Sequence, residues 1–434
     1  MTEPRPETNA STRREFLKAT SVAAAGTTAF QQMPNAFAAA GSPIKVGQIG
    51  SGGRGSGAAE NILTAAGTTF DVKIHAMADA FEDRLKNCFD RVQKLEQAKE
   101  KFDVTPERCF VGFDAYKQVV DCCDLVMLAT PPGFRPQHLE YAINAGKHVF
   151  CEKPVAVDGT GIRKVLAAAE VARSKNLAIV AGTQRRHQAG YVESMKRIKE
   201  GEIGEILAAR VFWNQGNIWA VPRKDEWKDM EYQMRNWYHF LWLCGGCIVE
   251  QHVHNLDVAC WALGGHPVRC VGMGGREVNT GPEYGESFDH FSVDYEFPND
   301  VHVMSNARQI SGCEGDVSEY LVGTKGRAHL APGNYRFAGP GLSRLRVRGE
   351  VNPYVQEHIN MLESITAGKP INELTQVAES TLAAIMGRMS AYTGKAVTWD
   401  QALNSQLDTF PETLGWDVSL PGPTLPKPGS TPLV

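Results

Sequence analysis

No run of about 18 consecutive apolar residues occurs in this sequence, so nothing in it is long enough to cross a bilayer as a helix. An excess of one charge is also missing: 45 Lys and Arg stand against 49 Asp and Glu, a formal net charge of -4. That balance offers no basic face broad enough for a nucleic-acid partner. Apolar residues are not scarce, and the 43% hydrophobic content excludes a largely disordered or low-complexity chain. The 10 cysteines are even in number, but a chain of 434 residues needs no disulfide staples. Cys88, Cys109, Cys122, Cys123, Cys151, Cys260 and Cys270 lie in or beside apolar segments and are expected as small core residues. At roughly 100–200 residues per domain, the length favours two domains.

The first forty residues read as an address. Ser11 to Lys18 match the twin-arginine export pattern, with Arg13-Arg14 followed by Phe16-Leu17-Lys18. A weakly apolar stretch, Ala19 to Phe30, leads to Ala36-Phe37-Ala38, a small-x-small cleavage site. The expectation is a signal over residues 1–40, read by the twin-arginine export machinery and placing the protein in the periplasm or otherwise outside the cytoplasm.

Ile44 to Ile49 is a short strand pattern that runs into Gly50-Ser51-Gly52-Gly53-Arg54-Gly55 and then a helical stretch, Ala58 to Ala66. A second strand, Val72 to Ala78, ends in Asp79. In that context Gly50, Gly52 and Gly55 make a tight turn, admit a pyrophosphate to the backbone, and let helix and strand pack closely. The helix N-terminus favours the anion. Asp79 stands where a carboxylate accepts from an adenosine ribose 2′-OH, and there it would repel a 2′-phosphate, so NAD is expected over NADP. Alternation continues through a helix Glu82 to Lys101, a buried strand Asp124 to Ala129, a helix Gln137 to Ala145 and the strand His148 to Cys151. This predicts an N-terminal Rossmann-type doubly wound parallel sheet over residues 41–157. Its strands end at Thr130-Pro131 and at Glu152-Lys153-Pro154.

Beyond residue 157 the pattern changes. Helix Gly161 to Ser174 and strand Ala178 to Ala181 precede long β-strands at Ile206 to Trp213, Val268 to Val278, Phe288 to Phe297 and Val301 to Ile310. Pro298-Asn299-Asp300 and Thr324-Lys325-Gly326 read as hairpin turns. Residues 158–403 are therefore expected as an α+β domain with a mostly antiparallel open sheet, closed by helices Tyr354 to Ala367 and Thr375 to Tyr392. A Pro-rich tail, 404–434, is expected to run extended over the surface or a partner subunit.

Gly50-x-Gly52-x-x-Gly55, Ala129-Thr130-Pro131 and above all Ala145-Gly146-Lys147-His148-Val149-Phe150-Cys151-Glu152-Lys153-Pro154 resemble the glucose-fructose oxidoreductase/inositol dehydrogenase/MocA family over about residues 44–400. The resemblance implies that Lys153 points at a substrate hydroxyl beside the nicotinamide, and that Thr130 and Pro131 line the nicotinamide ribose, with Glu152 also on the cofactor side. An ammonium there can stabilise a developing alkoxide and relay a proton. Read alone, Lys153 is better taken as a loop lysine paired with a neighbouring carboxylate; the resemblance is what favours the catalytic reading.

Gly245-Gly246-Cys247-Ile248-Val249-Glu250-Gln251-His252-Val253-His254-Asn255-Leu256-Asp257 reads as the start of a helix reaching Leu263. Against the family pattern, Glu250 replaces an Asp, His254 matches the His, Asp257 matches the final Asp, and His252 takes a Gly position. His254 is expected as a neutral general base, sharing a helix face with Glu250 four residues earlier. His252 and Asp257 are expected toward substrate. Cys244, Cys247, Glu250, His252 and His254 include zinc-ligand types, but the Gly-Gly belongs to the family's metal-free pattern, so no metal is assigned. His252 also resembles a His of NAD-dependent glycosidases of the same fold, whose flanking Pro-Thr and Gly-Leu-Gly are absent here. Arg185, Arg186, His187, Trp213, Trp219, Trp237 and Tyr238 are expected around the cleft, where Trp faces and Arg donors suit a polyol.

Together these features predict an exported NAD(P)-dependent oxidoreductase acting on a sugar, glycoside or cyclitol hydroxyl. Outside the cytoplasm no free NAD pool exists to exchange with, so the cofactor is expected to be loaded before export and tightly bound. A redox-neutral glycoside hydrolase or lyase, and a non-catalytic sugar-binding protein on the same fold, are the alternatives. The resemblance further implies a homodimer or homotetramer through the open sheet face.

Overall fold

Six strands form one parallel sheet: β1 (Ile44–Ile49), β2 (Val72–Asp79), β3 (Cys109–Val111), β4 (Leu125–Leu128), β5 (His148–Cys151) and β6 (Ile179–Ala181). The computed structural model describes residues 42–434, so the export segment with Arg13 and Arg14 lies outside the described residues. The strand order is β3-β2-β1-β4-β5-β6. β4, β5 and β6 are buried at every residue, as strands covered on both faces are, which is why their sequences do not alternate. The order reverses between β1 and β4, and the crevice outside their carboxyl ends is where a doubly wound sheet binds its ligand. This sheet runs past the boundary expected at residue 157, because β6 pairs with β5.

Two local readings change. The helix expected over Glu82 to Lys101 ends at Gln93. Leu95 turns to extended backbone, and Phe102 bridges to Ile74 while its ring meets Phe89 at 5.0 Å. A continued helix would have carried that ring away from the core. At the glycine loop the helix starts earlier than expected and spans Gly53–Ala66.

Eight strands form the second sheet: β7 (Ile206–Gln215), β8 (Arg269–Gly275), β9 (His290–Phe297), β10 (Val301–Gln309), β11 (Asp316–Gly323), β12 (Arg327–Ala331), β13 (Asn334–Ala338) and β14 (Val397–Thr398). Their order is β13-β12-β11-β7-β10-β9-β8-β14, and every pairing is antiparallel except β7 with β10. β9 alternates between half-buried and buried residues, the mark of a sheet with one covered face. The β9–β10 hairpin turns through the three residues Pro298, Asn299 and Asp300, the last two in the left-handed region at φ 64 and 58. The architecture is thus the α/β fold expected, a Rossmann sheet followed by a mostly antiparallel one.

The helix Leu374–Thr393 is buried on almost every side and packs against the covered face of the second sheet. Gly387 allows this approach: a Cβ there would lie 2.0 Å from the Tyr295 hydroxyl, which donates to the Ala383 carbonyl at 3.0 Å.

A second helix, Pro353–Thr366, covers the first sheet and carries Met361 and Leu362 into its core. It also brings in His358, whose ring lies 4.3 Å from Phe150, and Glu357, and both side chains are fully buried without a hydrogen bond. Burial pushes the Glu357 carboxyl well above its ordinary range and the His358 imidazole well below its own. Arg54 Nη2, 3.9 Å from Glu357 Oε1, pulls that carboxyl part of the way back down. For Glu357 the folded value exceeds the unfolded one, so folding takes up a proton between them and stability falls as pH rises through that window. Glu357→Gln should raise Tm more at about pH 8 than at about pH 4. A lower Tm at the higher pH would show that the ionised carboxylate is the native form.

Candidate active site

The three glycines of the first loop have distinct mechanical reasons. Gly50 has φ +90, and a Cβ on it would lie 2.6 Å from the Thr130 nitrogen, so only glycine lets the end of β1 lie against the loop after β4. A Cβ on Gly55 would lie 1.9 Å from the Gly50 carbonyl, which fixes the helix against the strand. A Cβ on Gly52, by contrast, would meet nothing within 4 Å. That open space over a 14-residue helix N-terminus is a cradle suited to a pyrophosphate. At the end of β2, Asp79 Oδ2 accepts from the Ser51 nitrogen at 2.6 Å and Oδ1 from the Phe81 nitrogen at 2.9 Å. Burial raises its carboxyl while those bonds lower it.

A cavity of about 680 Å³ opens from this loop, within the range of small-molecule sites. Of the residues expected to hold a cofactor, Gly50, Gly52, Asp79, Thr130 and Pro131 line it. Trp219, Trp237 and Tyr238 close it from the segment after β7, and Glu250 and Gln251 form part of its wall. The residues present therefore fit a dinucleotide. Glu152 lies outside the lining, buried and bonded by Arg54 at 2.5 Å.

Lys153 follows β5 on a cis Lys153–Pro154 peptide. Its Nζ donates to the Glu250 carbonyl at 2.5 Å and to Glu250 Oε1 at 3.0 Å. Both side chains are about nine-tenths buried. The carbonyl is available because the expected continuous helix is broken. Cys247–Glu250 and Val253–Leu263 are separate helices, and the His254 nitrogen donates to Gln251 instead of Glu250. Glu250 and His254 thus do not share one helix face, yet both stand close to the Lys153 charge. Glu250 Oε2 is buried without a partner. Burial raises the Glu250 carboxyl, with Lys153 pulling it back down. His254 is stacked on Trp213 with ring centres 5.7 Å apart. Burial, then the charges of Lys153 and Arg185, hold its imidazole well below its ordinary value and hence neutral.

Three residues expected at the substrate are committed elsewhere. His252 is fully buried against β10, where Nε2 hydrogen-bonds with Ser305 Oγ at 2.7 Å, and burial pushes it down to about 3. The helix break turns it into the sheet. Asp257 is held by a forked pair of bonds from Arg186 and by Ser380 Oγ at 2.7 Å. Arg185 is buried in an ion pair with Glu319, which also accepts from Tyr191 and Asn255. His187 pairs with Glu373 at 3.2 Å. Trp213, half-buried, faces His254 but does not line the cavity. Cys247 Sγ donates to the Phe288 carbonyl, and burial raises both the Cys244 and Cys247 thiols. All ten cysteines are free.

Other residues at the site carried no usable sequence signal. Arg135 is fully buried and donates to the carbonyls of Thr130 and Pro154, tying together the loops after β4 and β5. Arg54, within the glycine loop, lines the cavity and binds Glu152. His138 lines it too, its imidazole pushed down to about 3 by burial and then by Arg135. Arg84 and Arg91 also line the cavity, Arg84 close enough to lower the Asp79 carboxyl.

Residues 44–181 match a family model described as an oxidoreductase family with an NAD-binding Rossmann fold, and residues 191–329 match a GFO/IDH/MocA C-terminal domain. The chain is 30% identical over 182 residues to 2,7-anhydro-N-acetylneuraminate hydratase of Escherichia coli (strain K12), covering 42% of this chain and 44% of that protein. To 1,5-anhydro-D-fructose reductase of Ensifer adhaerens it is 31% identical over 173 residues, 38% of this chain and 47% of the relative. The chain thus spans less than half the length of these relatives. Levoglucosan dehydrogenase, solved in complex with NADH and levoglucosan, superposes with a TM-score of 0.65 at 18% identity, covering 82% of this chain and 99% of that one. Aldose-aldose oxidoreductase from Caulobacter crescentus gives 0.64 at 17%, covering 82% and 100%. At such identities the likeness is one of fold.

Replacing Arg135 with Met should cost about 2–5 kcal/mol, because two loop carbonyls lose their donor. It should weaken dinucleotide binding in the same variant. Lys at this position should not rescue either effect, because an ammonium cannot fork between two carbonyls as guanidinium does. Denaturant unfolding and dinucleotide titration of the two variants check this.

Proposed function

The chain belongs to the Gfo/Idh/MocA family of oxidoreductases with an NAD-binding Rossmann fold, and from that premise we propose that it oxidises a hydroxyl of a sugar, glycoside or cyclitol. Bound NAD supplies the hydride acceptor. Gly50, Gly52, Asp79, Thr130 and Pro131 hold it, with NAD favoured by Asp79. Arg84 and Arg91 are suited to a 2′-phosphate, so NADP belongs in the same titration.

Lys153 donates to the substrate oxygen and stabilises alkoxide character as the C–H bond breaks. His254, neutral, takes the hydroxyl proton. Glu250 anchors Lys153 through Oε1 and offers Oε2 to a neighbouring substrate hydroxyl. Trp237 and Trp219 supply the wall that stacks on sugar C–H surfaces. The observation that carries this reading is the Lys153–Glu250 bond: Glu250 lines the cavity that begins at the glycine loop, and Lys153 reaches that wall through this bond but, like His254, is not itself a lining residue.

The Arg13-Arg14 segment supports export to the periplasm by the twin-arginine route, so the cofactor is loaded first and kept. A kept cofactor is reset by a second substrate or within one substrate. The exposed face of the second sheet, with Met273 and Met304, supports a homodimer or homotetramer.

Mass spectrometry of native protein should release NAD, and a sugar panel should change the cofactor absorbance. Glycoside cleavage with no net NADH would instead establish the redox-neutral cycle. Lys153→Ala should lower kcat by about 10²–10⁴-fold with nucleotide still bound; retained turnover would remove Lys153 from the chemistry.

The acid limb of kcat/KM should belong to Glu250. Its carboxyl is raised by burial, so falling pH protonates it and frees Lys153, whereas His254 stays neutral far below its usual value. Glu250→Gln should flatten that limb at reduced activity. An unchanged limb would assign it to another group.

A further inference from the structure

Three aromatic rings line the cavity from consecutive loops at the carboxyl ends of the first sheet: Phe81 after β2, Phe113 after β3 and Phe134 after β4. Each is backed by a ring from the C-terminal tail. Trp416 lies 5.0 Å from Phe81 and 4.7 Å from Phe113, and Phe410 lies 5.2 Å from Phe134. Arg235, from the segment that closes the cavity, covers Phe81 at 4.2 Å and pairs with Asp83 at 3.2 Å. Tail, closing segment and the three loops form one apolar cluster, with Leu414, Val418 and Leu420 packed against it.

The tail is pinned on both sides of these rings. Upstream, Thr409 donates to Asp158 Oδ2 from its nitrogen at 3.0 Å and its hydroxyl at 2.9 Å. Downstream, Asp417 pairs with Lys228, and Ser419 Oγ donates to Asp229 Oδ2 at 3.1 Å. Residues 409–419 therefore run behind the cavity, from Phe134 after β4 to Phe81 and Phe113 beside Asp79, as a belt fixed at both ends. Phe81 and Phe113 cannot swing outward while Trp416 occupies the space behind them.

We propose that residues 409–419 are a retention strap that sets how fast the dinucleotide leaves, with Trp416 and Phe410 as positioning residues acting through Phe81, Phe113 and Phe134. This rests on the reading of the cavity as a dinucleotide site. Release requires those rings to part, and parting requires the tail contacts to break first. Tight binding then has a local cause in the same chain, independent of any partner subunit.

The test uses the full chain loaded with NADH, with release followed by NADH fluorescence during a chase with NAD. Trp416→Ala should speed release about tenfold or more, since two ring contacts are lost. Asp417→Lys sets two ammoniums side by side on the surface and leaves every buried contact in place, so it keeps the test open if the first variant is unstable. It should speed release a few-fold. Both should weaken AMP binding and leave nicotinamide mononucleotide binding unchanged, a split that general loosening would not produce. Wild-type release rates in folded variants would overturn the strap while leaving the cavity's reading intact. A wild-type protein that binds no dinucleotide would overturn both.

Discussion

The bond from Lys153 to Glu250 joins the carboxyl end of β5 to the broken helix above the second sheet, and the geometry of the site hangs on it. Neither partner is well solvated, so the Coulomb attraction must offset desolvation of both charges, which pairing alone rarely achieves. Here the ammonium takes a second bond, to the Glu250 carbonyl. That acceptor exists only because the chain breaks its helix at Gln251 and His252. Arg135 supplies the complementary restraint, holding the Pro154 and Thr130 carbonyls from behind. The loops after β4 and β5 and the broken helix are thus tied together through two buried cations.

Adjacent charges in this fold have unlike duties. Arg185 and Arg186 are neighbours, yet one is sealed with Glu319 under β11 and the other with Asp257 and Ser380 on the central helix. The Arg186 pair is held by a forked set of bonds, whereas Arg185 keeps its Nε buried without a partner. Glu250 leaves one oxygen without a partner, and both oxygens of Glu357 are buried without a hydrogen bond. The count of polar groups near a cleft is therefore a poor guide to chemistry; unspent hydrogen-bonding capacity is a better one.

The first sheet and its glycine loop were legible because their constraints are local. A backbone that cannot carry a Cβ at Gly50 or Gly55 writes glycine into fixed places, and a strand covered on both faces writes an apolar run. Lys153 was legible only through its family resemblance. His252, Asp257 and Arg185 were read from a spacing that assumed an unbroken helix and an open cleft, whereas the break sets His252 against Ser305 of the sheet, Asp257 pairs with Arg186, and Arg185 pairs with Glu319. Arg135 was invisible since its partners are carbonyls, which leave no mark on residue type. The early end of the helix at Gln93 was likewise decided by Phe102 reaching Ile74, a tertiary contact.

Trp416 completes the wall behind Phe81 and Phe113, although it is translated after every strand of both sheets. A nascent chain can pair β1 to β6 and dock its covering helices while that wall is still absent. Order of synthesis thereby becomes order of assembly, and the cavity has an interval of openness that the finished protein does not share.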